Sequence, residues 1–166
     1  MYYLQPAFEK KIILAHDLPQ RLTEIKTKTP LVFTNGCFDI LHRGHVTYLA
    51  QARSIGASLV VALNTDASVK RQNKGAERPI NKLEDRMAVI ASLMDVDYVT
   101  SFDEDTPLNL ILLIKPQVLV KGGDWSIENI VGSKEVIANG GYVHSIPFLF
   151  DTSTTKLVTK IRDHGN

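Results

Sequence analysis

Short apolar runs alternate with stretches of three- and four-residue apolar spacing along most of the chain. Leu31, Val32 and Phe33 make the first run, too brief for a helix and bounded by Pro30 and by Asn35-Gly36. Such a run is expected to be a buried strand ending in a glycine turn. Val46, Leu49, Ala50 and Ile55 then repeat at helical spacing, and Gly56 stands where a C-terminal cap belongs. The next run, SLVVAL at 58–63, is unbroken, as in a strand buried on both faces of a parallel sheet. Leu83, Met87, Ile90, Ala91 and Met94 predict the buried face of a further helix, with Asn81 and Glu84 placed as a capping box.

The alternation continues to the end. Strands are expected over 96–102, 117–121 and 142–147, and a helix over 133–139 that stops at Gly140-Gly141. Another helix opens with Thr106 as cap and Pro107 at its first position. A last helix is expected over 154–162, its buried face made of Leu157, Val158 and Ile161. Ahead of the first strand, Pro19, Leu22 and Ile25 predict a leading helix over 18–28, while 1–17 carry no period and suit an arm or an extra strand. Five strands alternating with helices predict an α/β, Rossmann-like open parallel sheet with helices on both faces and right-handed crossovers. The chain reads as one domain, with an arm and helix over 1–29 and a core over 30–162.

Composition adds little beyond class. A chain of 166 residues with 44% hydrophobic and 22% charged residues is ordinary for a globular protein. A net charge of +1 suggests neither a nucleic-acid coat nor an anionic membrane surface as partner. One cysteine, Cys37, excludes an internal disulfide framework and suits a reducing cytoplasm. No apolar run approaches the length of a membrane span, and the first residues lack a signal pattern.

In a sheet of this kind, ligands bind beyond the carboxyl ends of the strands, where strand order reverses. The polar residues cluster at those ends: Thr34 to His45 after the first strand, Asn64 to Asp66 after the second, Lys121 to Asp124 after the fourth. His42 and His45 stand three apart around Gly44, at the first turn of a helix. Unpaired N–H groups and the positive dipole end make that turn an anion site. Zinc proteases space their histidines four apart with a glutamate between, unlike this pair. Two imidazole donors there can instead meet the charge that grows on phosphoryl oxygens when a nucleophile attacks the α-phosphorus of a nucleoside triphosphate. An ionised phosphate nucleophile needs no general base, so positioning and electrostatics suffice.

Other residues carry weaker signals. Lys70, Arg71, Lys74 and Arg78 lie in a polar stretch over 67–79 that can fold across phosphates, with Lys74 beside Gly75 as its chief candidate. Lys121 ends a buried strand, where a charge is costly unless it meets an anion. Cys37 suits a small packed residue better than a thiol nucleophile. Ser153, Thr154 and Thr155 precede the final helix and can cap it or hold phosphate. Neither GxxxxGK[ST] nor GxGxxG occurs, which argues against P-loop ATPases and ordinary NAD-dependent dehydrogenases.

The segment TNGCFDILHRGH resembles the HxGH signature of the cytidylyltransferase-like nucleotidyltransferases. With ERPIN at 77–81, DEDTP at 103–107, LVKGGDW at 119–125 and the STT ending, it is similar to the heptose 1-phosphate adenylyltransferases over roughly residues 10–162. That resemblance implies transfer of AMP from ATP, with Mg²⁺, to D-glycero-β-D-manno-heptose 1-phosphate, giving ADP-heptose and pyrophosphate for the inner core of lipopolysaccharide. In many bacteria such a domain is fused to a sugar kinase.

On residues and resemblance together, His42, His45 and Lys74 are the expected catalytic groups. Nucleotide contacts are expected from Thr34, Asn35, Gly36, Cys37, Phe38, Gly44, Arg86, Lys121, Gly122, Ser153 and Thr154, with Arg86 resting on the resemblance alone. Acceptor contacts are expected from Asp39, Asn64, Asp66, Arg71, Gly123, Asp124 and Trp125, and no protein-held metal is expected. The partners implied are small molecules, with homo-oligomerisation open. Asp151 stands where related cytidylyltransferases carry glycine in an RTEG-like segment, and the arginine of that segment is missing. Two alternatives remain at this stage. One is a cytidylyltransferase for glycerol 3-phosphate or a phospho-alcohol amine, and the other is a nucleotide-binding module without chemistry.

Overall fold

All five sheet strands run parallel, in the order β3-β2-β1-β4-β5. The computed structural model describes residues 4–72, 75, 77–150 and 152–163. The strands are β1 (Leu31–Gly36), β2 (Ser58–Asn64), β3 (Tyr98–Phe102), β4 (Val118–Gly122) and β5 (Tyr142–Ile146). The helices are α1 (Leu18–Ile25), α2 (Arg43–Ser54), α3 (Asp66–Arg71), α4 (Leu83–Ala91), α5 (Leu108–Ile114), α6 (Ser133–Ala138) and α7 (Thr154–Asp163). Successive strand residues point to opposite faces, so the central strands feed two cores at once. Val32, Leu59, Val61 and Leu63 pack with Tyr48, Leu49 and Ala52 of α2 and Met87, Ile90 and Ala91 of α4. Leu31, Phe33, Val60 and Ala62 pack on the other face with Leu18 and Ile25 of α1, Ile111 and Ile114 of α5, and Val136 of α6. Full burial of both faces is why β1 and β2 read as unbroken apolar runs.

Strand order reverses between β1 and β4, which are paired through Val32–Val118 and Phe33–Leu119. Their carboxyl ends diverge beyond that register and open a crevice floored by Asn35, Gly36, Lys121 and Gly122. The expected arm is a 3-10 turn (Ala7–Lys11) followed by a single parallel bridge, Ile12 to Val99, at the free edge of β3.

Several local expectations are corrected. The buried face of α2 is Gly44, Tyr48, Leu49 and Ala52, whereas Val46 is 40% exposed. Gly56 is not a left-handed cap: a Cβ there would lie 2.4 Å from Val32, so tight packing on β1 demands glycine. Met94 lies beyond α4 and is 91% exposed, and Lys82, not Asn81, occupies the N-cap of that helix. Pro107 is itself the N-cap of α5, which displaces Thr106 from that role. Helix α3 overlaps the polar stretch over 67–79, where no helix was expected; at six residues with one buried apolar side chain, Val69, it is too short to show a period. On α7 only Thr154 is buried, and Ile161 is 69% exposed, so its apolar stripe is not a core face.

Candidate active site

Helix α2 begins at the switch point of the sheet, with His42 as its N-cap residue and His45 in its first turn. The His42 backbone is extended, and its carbonyl accepts from His45 N at 2.9 Å and Val46 N at 3.2 Å. That geometry brings the two imidazoles together, stacked with centroids 3.8 Å apart and planes 26° from parallel. Phe38 closes the other side of His45 with its ring edge, at 5.3 Å between centroids. A Cβ at Gly44 would sit 3.1 Å from the His42 ring, so the glycine makes room for the pair. Among the described residues, neither His42 Nδ1 nor His45 Nδ1 has a hydrogen-bond partner, although both are buried. Orphaned buried polar atoms are rare in native proteins and call for an explanation.

Burial, reinforced by the neighbouring His42 ring, pushes the His45 pKa down to about 4, against a smaller opposing pull from the Ile40 carbonyl. Burial also lowers His42. Both rings are therefore neutral near pH 7, and each neutral ring carries one N–H donor.

Three cavities follow one another along this edge. The first, 470 Å³, lies between the two histidines and the segment that carries Phe148, Phe150, Ser153 and Thr154. A narrow waist of 120 Å³ joins it past His45 and Phe148 to Asn35, Cys37, Lys121 and Gly122. Beyond the waist a third, of 220 Å³, is lined by Asn64, Gln72, Asp105, Trp125 and Asn129. Lys121 Nζ donates to Asn35 Oδ1 at 3.3 Å across the switch point. The tail that roofs the first cavity is held in place from three sides. Phe148 stands edge-on to Tyr48, Arg43 lies 3.9 Å over the Phe150 ring, and Thr154 Oγ1 donates to Ile40 O at 3.4 Å.

Asn35, Gly36, Cys37, Phe38, His42, His45, Asn64, Lys121, Gly122, Trp125, Ser153 and Thr154 all line these cavities. Others among the expected residues are placed differently. Thr34 is fully buried and hydrogen-bonds the Tyr48 hydroxyl, which also donates to Val120 O at 3.3 Å. Burial raises the Tyr48 pKa, so this phenol stays protonated.

Asp39, expected to touch acceptor, is 3% exposed and pairs with the buried Arg78. Its carboxylate also accepts from Ile80 N and Asn81 N, both at 2.9 Å. Arg86, expected to touch nucleotide, is 1% exposed and donates to the carbonyls of Cys37, Asn64 and Asn81 and to Asp66 Oδ1. A buried guanidinium satisfied by carbonyls and a carboxylate is a scaffold. These two hubs tie the loop after β1 to α4 and to the end of β2, and Asp66 is engaged in the same tie.

Arg71 pairs with Asp103 and Asp105 at the surface. Gly123 turns the chain with φ near +109°, and Asp124 is exposed on that turn. Lys74 and Asp151 lie outside the described residues. Tyr48, Gln72, Asp105, Asn129 and Phe148 join the site without having been expected. Only Tyr48, three residues after His45 on the same helical face, carried a usable signal.

Among the described residues, no helix is long and apolar enough to cross a membrane. The family model described as cytidylyltransferase-like matches residues 33–160. The chain is 52% identical over 155 residues to a D-beta-D-heptose 1-phosphate adenylyltransferase of Bordetella bronchiseptica, covering 93% of this chain and 96% of that one. It is 56% identical over 138 residues to the bifunctional protein HldE of Pseudomonas syringae pv. syringae, covering 83% of this chain but 29% of that longer protein. A solved lipopolysaccharide core biosynthesis protein from Thermoplasma volcanium superposes with a TM-score of 0.57 at 28% identity, over 71% of this chain and 94% of that one. The chain belongs to the cytidylyltransferase-like family.

Proposed function

We propose that the protein transfers AMP from ATP to D-glycero-β-D-manno-heptose 1-phosphate, yielding ADP-heptose and pyrophosphate for the lipopolysaccharide inner core. The stacked pair His42–His45 at the start of α2, facing Ser153 and Thr154 across one cavity, is the observation that carries this reading. An oxygen of the sugar phosphate forms a bond to the α-phosphorus as the bond from that phosphorus to the β-bridging oxygen breaks. Nucleophile and leaving group lie in line across the phosphorus. The β- and γ-phosphates then occupy the cavity between the histidines and Ser153–Thr154, and the attacking phosphate comes from the side of Lys121.

Neutral imidazoles suit this task. Each donates a hydrogen bond to oxygens that gain charge in the transition state, without carrying a proton away. The acceptor is ionised at neutral pH, so no residue is needed as general base. Asp39, the one acid in the loop of the histidines, is paired with Arg78 and serves as scaffold. Mg²⁺ bound to the triphosphate would neutralise part of its charge, leaving His42, His45 and Lys121 to bind and orient the phosphate oxygens.

Pyrophosphate release across ATP, CTP and a panel of sugar 1-phosphates tests the reading. Turnover is expected with ATP and the heptose 1-phosphate. Preference for CTP with glycerol 3-phosphate or a phospho-alcohol amine would replace it with a cytidylyltransferase.

A further inference from the structure

The cavity beyond the waist is chemically polarised. At its inner end stands Lys121, beside Asn35 and Gly36 of the switch point. At its outer end stand Gln72 and Asp105, on two elements that share no strand or helix. Each of these outer side chains is held by a protein contact that engages only part of its capacity. Cys37 Sγ lies 3.3 Å from Gln72 Oε1 and 3.8 Å from Asn64 Oδ1, and the shorter contact turns the amide oxygen to the thiol and leaves the Nε2 donors to offer. Arg71 Nε donates to Asp105 Oδ1 at 2.8 Å, which anchors the carboxylate and leaves Oδ2 as acceptor. A donor and an acceptor that line one cavity match hydroxyls, which can accept from the amide and donate to the carboxylate.

We propose that Gln72 and Asp105 are specificity-determining residues that read hydroxyls on the sugar body of the acceptor, and that Cys37 is a positioning residue acting through Gln72. The inference deepens the proposed function and rests on it for the identity of the acceptor. The acceptor lies with its phosphate at Lys121 and its polyol at Gln72 and Asp105. The opposite orientation would bring the phosphate dianion against the Asp105 carboxylate. An ammonium group can pair with Asp105 but not with the Nε2 donors of Gln72, whereas hydroxyls match both. The cavity therefore selects a phosphate ester whose far end carries hydroxyls.

The test is steady-state kinetics on Gln72→Ala, Asp105→Ala, Cys37→Val and Cys37→Ser, varying ATP and heptose 1-phosphate separately. Loss of one hydrogen bond to a polar or charged partner corresponds to about 10- to 100-fold in affinity. Gln72→Ala and Asp105→Ala are each expected to raise the acceptor KM by about that factor, with the ATP KM within about twofold and kcat largely kept. Cys37→Val, similar in size but without a donor, is expected to raise acceptor KM, and Cys37→Ser, which restores an O–H donor, to return it towards the parent value. A merely structural cysteine would fail the rescue, giving equal effects of Val and Ser on thermal stability and on both KM values.

A rise in ATP KM alone would assign this cavity to the nucleotide and overturn the inference, as would unchanged acceptor KM in both Gln72→Ala and Asp105→Ala. Calorimetric titration of the full chain with heptose 1-phosphate, in the presence of a non-hydrolysable ATP analogue, separates this failure from failure of the proposed function. If the parent binds the sugar phosphate but does not turn it over, weakened binding in the two variants upholds the inference while the proposed reaction falls. Equal binding, or none by the parent, overturns the inference.

Discussion

The imidazoles of His42 and His45 lie ring against ring, 3.8 Å between centroids, at the N-terminal end of α2. Stacking at this distance is tolerable only while at most one ring is charged, because two imidazolium ions would repel at close range with little water between them. The pair is thus poised as two neutral donors. Removing either one should remove a hydrogen bond that strengthens as charge develops on the phosphoryl group. His42→Ala and His45→Ala are each expected to lower kcat by on the order of 10²–10³-fold, with a much smaller change in substrate KM. Near-normal turnover by either folded variant would make that ring a packing residue.

The same burial makes stability depend on pH. The His45 pKa falls from 6.5 to about 4 on folding. Between those values the unfolded chain binds more protons than the folded one, so stability rises with pH through that window and levels off above it. Lowering the pH from 7 to 4 should cost on the order of 1–3 kcal/mol from this group, and His42 adds to the loss in the same direction. Urea denaturation at a series of pH values checks this. The parent is expected to lose more stability across the window than His45→Gln, and parallel curves for the two would remove His45 as the cause.

The fold was legible because β1 and β2 are buried on both faces and so leave unbroken apolar runs, each ending in polar residues at the sheet edge. The histidine pair was legible because helical spacing alone puts residues three apart on one face. Asp39 and Arg86 have protein partners that the sequence did not reveal, for one physical reason. Their partners lie far along the chain, Arg78 39 positions from Asp39 and Cys37 49 positions from Arg86. A charged side chain in a loop looks the same whether it waits for a ligand or is neutralised by a distant residue. Gln72 and Asp105 were missed on the same account, since only the fold brings α3 and the turn after β3 to one cavity. The stripe on α7 failed differently: periodicity reports an apolar face but not whether anything covers it.

Because Asp39 holds Arg78 and two backbone N–H groups, its loss is expected to show first in stability. Asp39→Ala leaves a buried guanidinium without its carboxylate, a change that costs about 3–5 kcal/mol. Chemical denaturation is the measurement. A variant that unfolds at the parent's denaturant midpoint yet loses acceptor affinity would return Asp39 to the role of a direct ligand.

Lys121 is the contrasting case. It hydrogen-bonds Asn35 and lines both the waist and the cavity beyond it. Lys121→Met should raise acceptor or ATP KM, or depress kcat, by about 10- to 100-fold for a lost charge-assisted contact. The thermal midpoint should stay close to that of the parent. Earlier melting with unchanged kinetics would make this lysine structural.

The tail is the element whose behaviour depends most on ligand. Residues 148–150 and 152–154 line the cavity beside the histidines, and among the described residues they are held to the core by a ring contact to Tyr48, a cation–π contact from Arg43 and a long hydrogen bond from Thr154. Contacts of this kind are worth about 0.5–1.5 kcal/mol each, small beside the core packing that fixes β1 and α2. Helix α7 behind them buries only Thr154 and is tied at its far end by the exposed pair Arg162–Glu77, which contributes little. Such a segment opens locally at low cost. Ser153 Oγ accepts from Lys156 N at 3.2 Å, and a bound triphosphate supplies a stronger acceptor for the hydroxyls of Ser153 and Thr154 and for the N-terminal end of α7. The tail should therefore tighten on ATP and exclude water from the reacting phosphorus. Amide hydrogen exchange over 148–156, with and without a saturating non-hydrolysable ATP analogue, is expected to slow by about tenfold or more, as 1–2 kcal/mol of added protection requires. Phe150→Ala, which removes the ring under Arg43, should speed exchange in the empty protein and narrow the difference once nucleotide is bound. Exchange that is unchanged on saturation would leave Ser153 and Thr154 as an ordinary helix start with no part in holding the triphosphate.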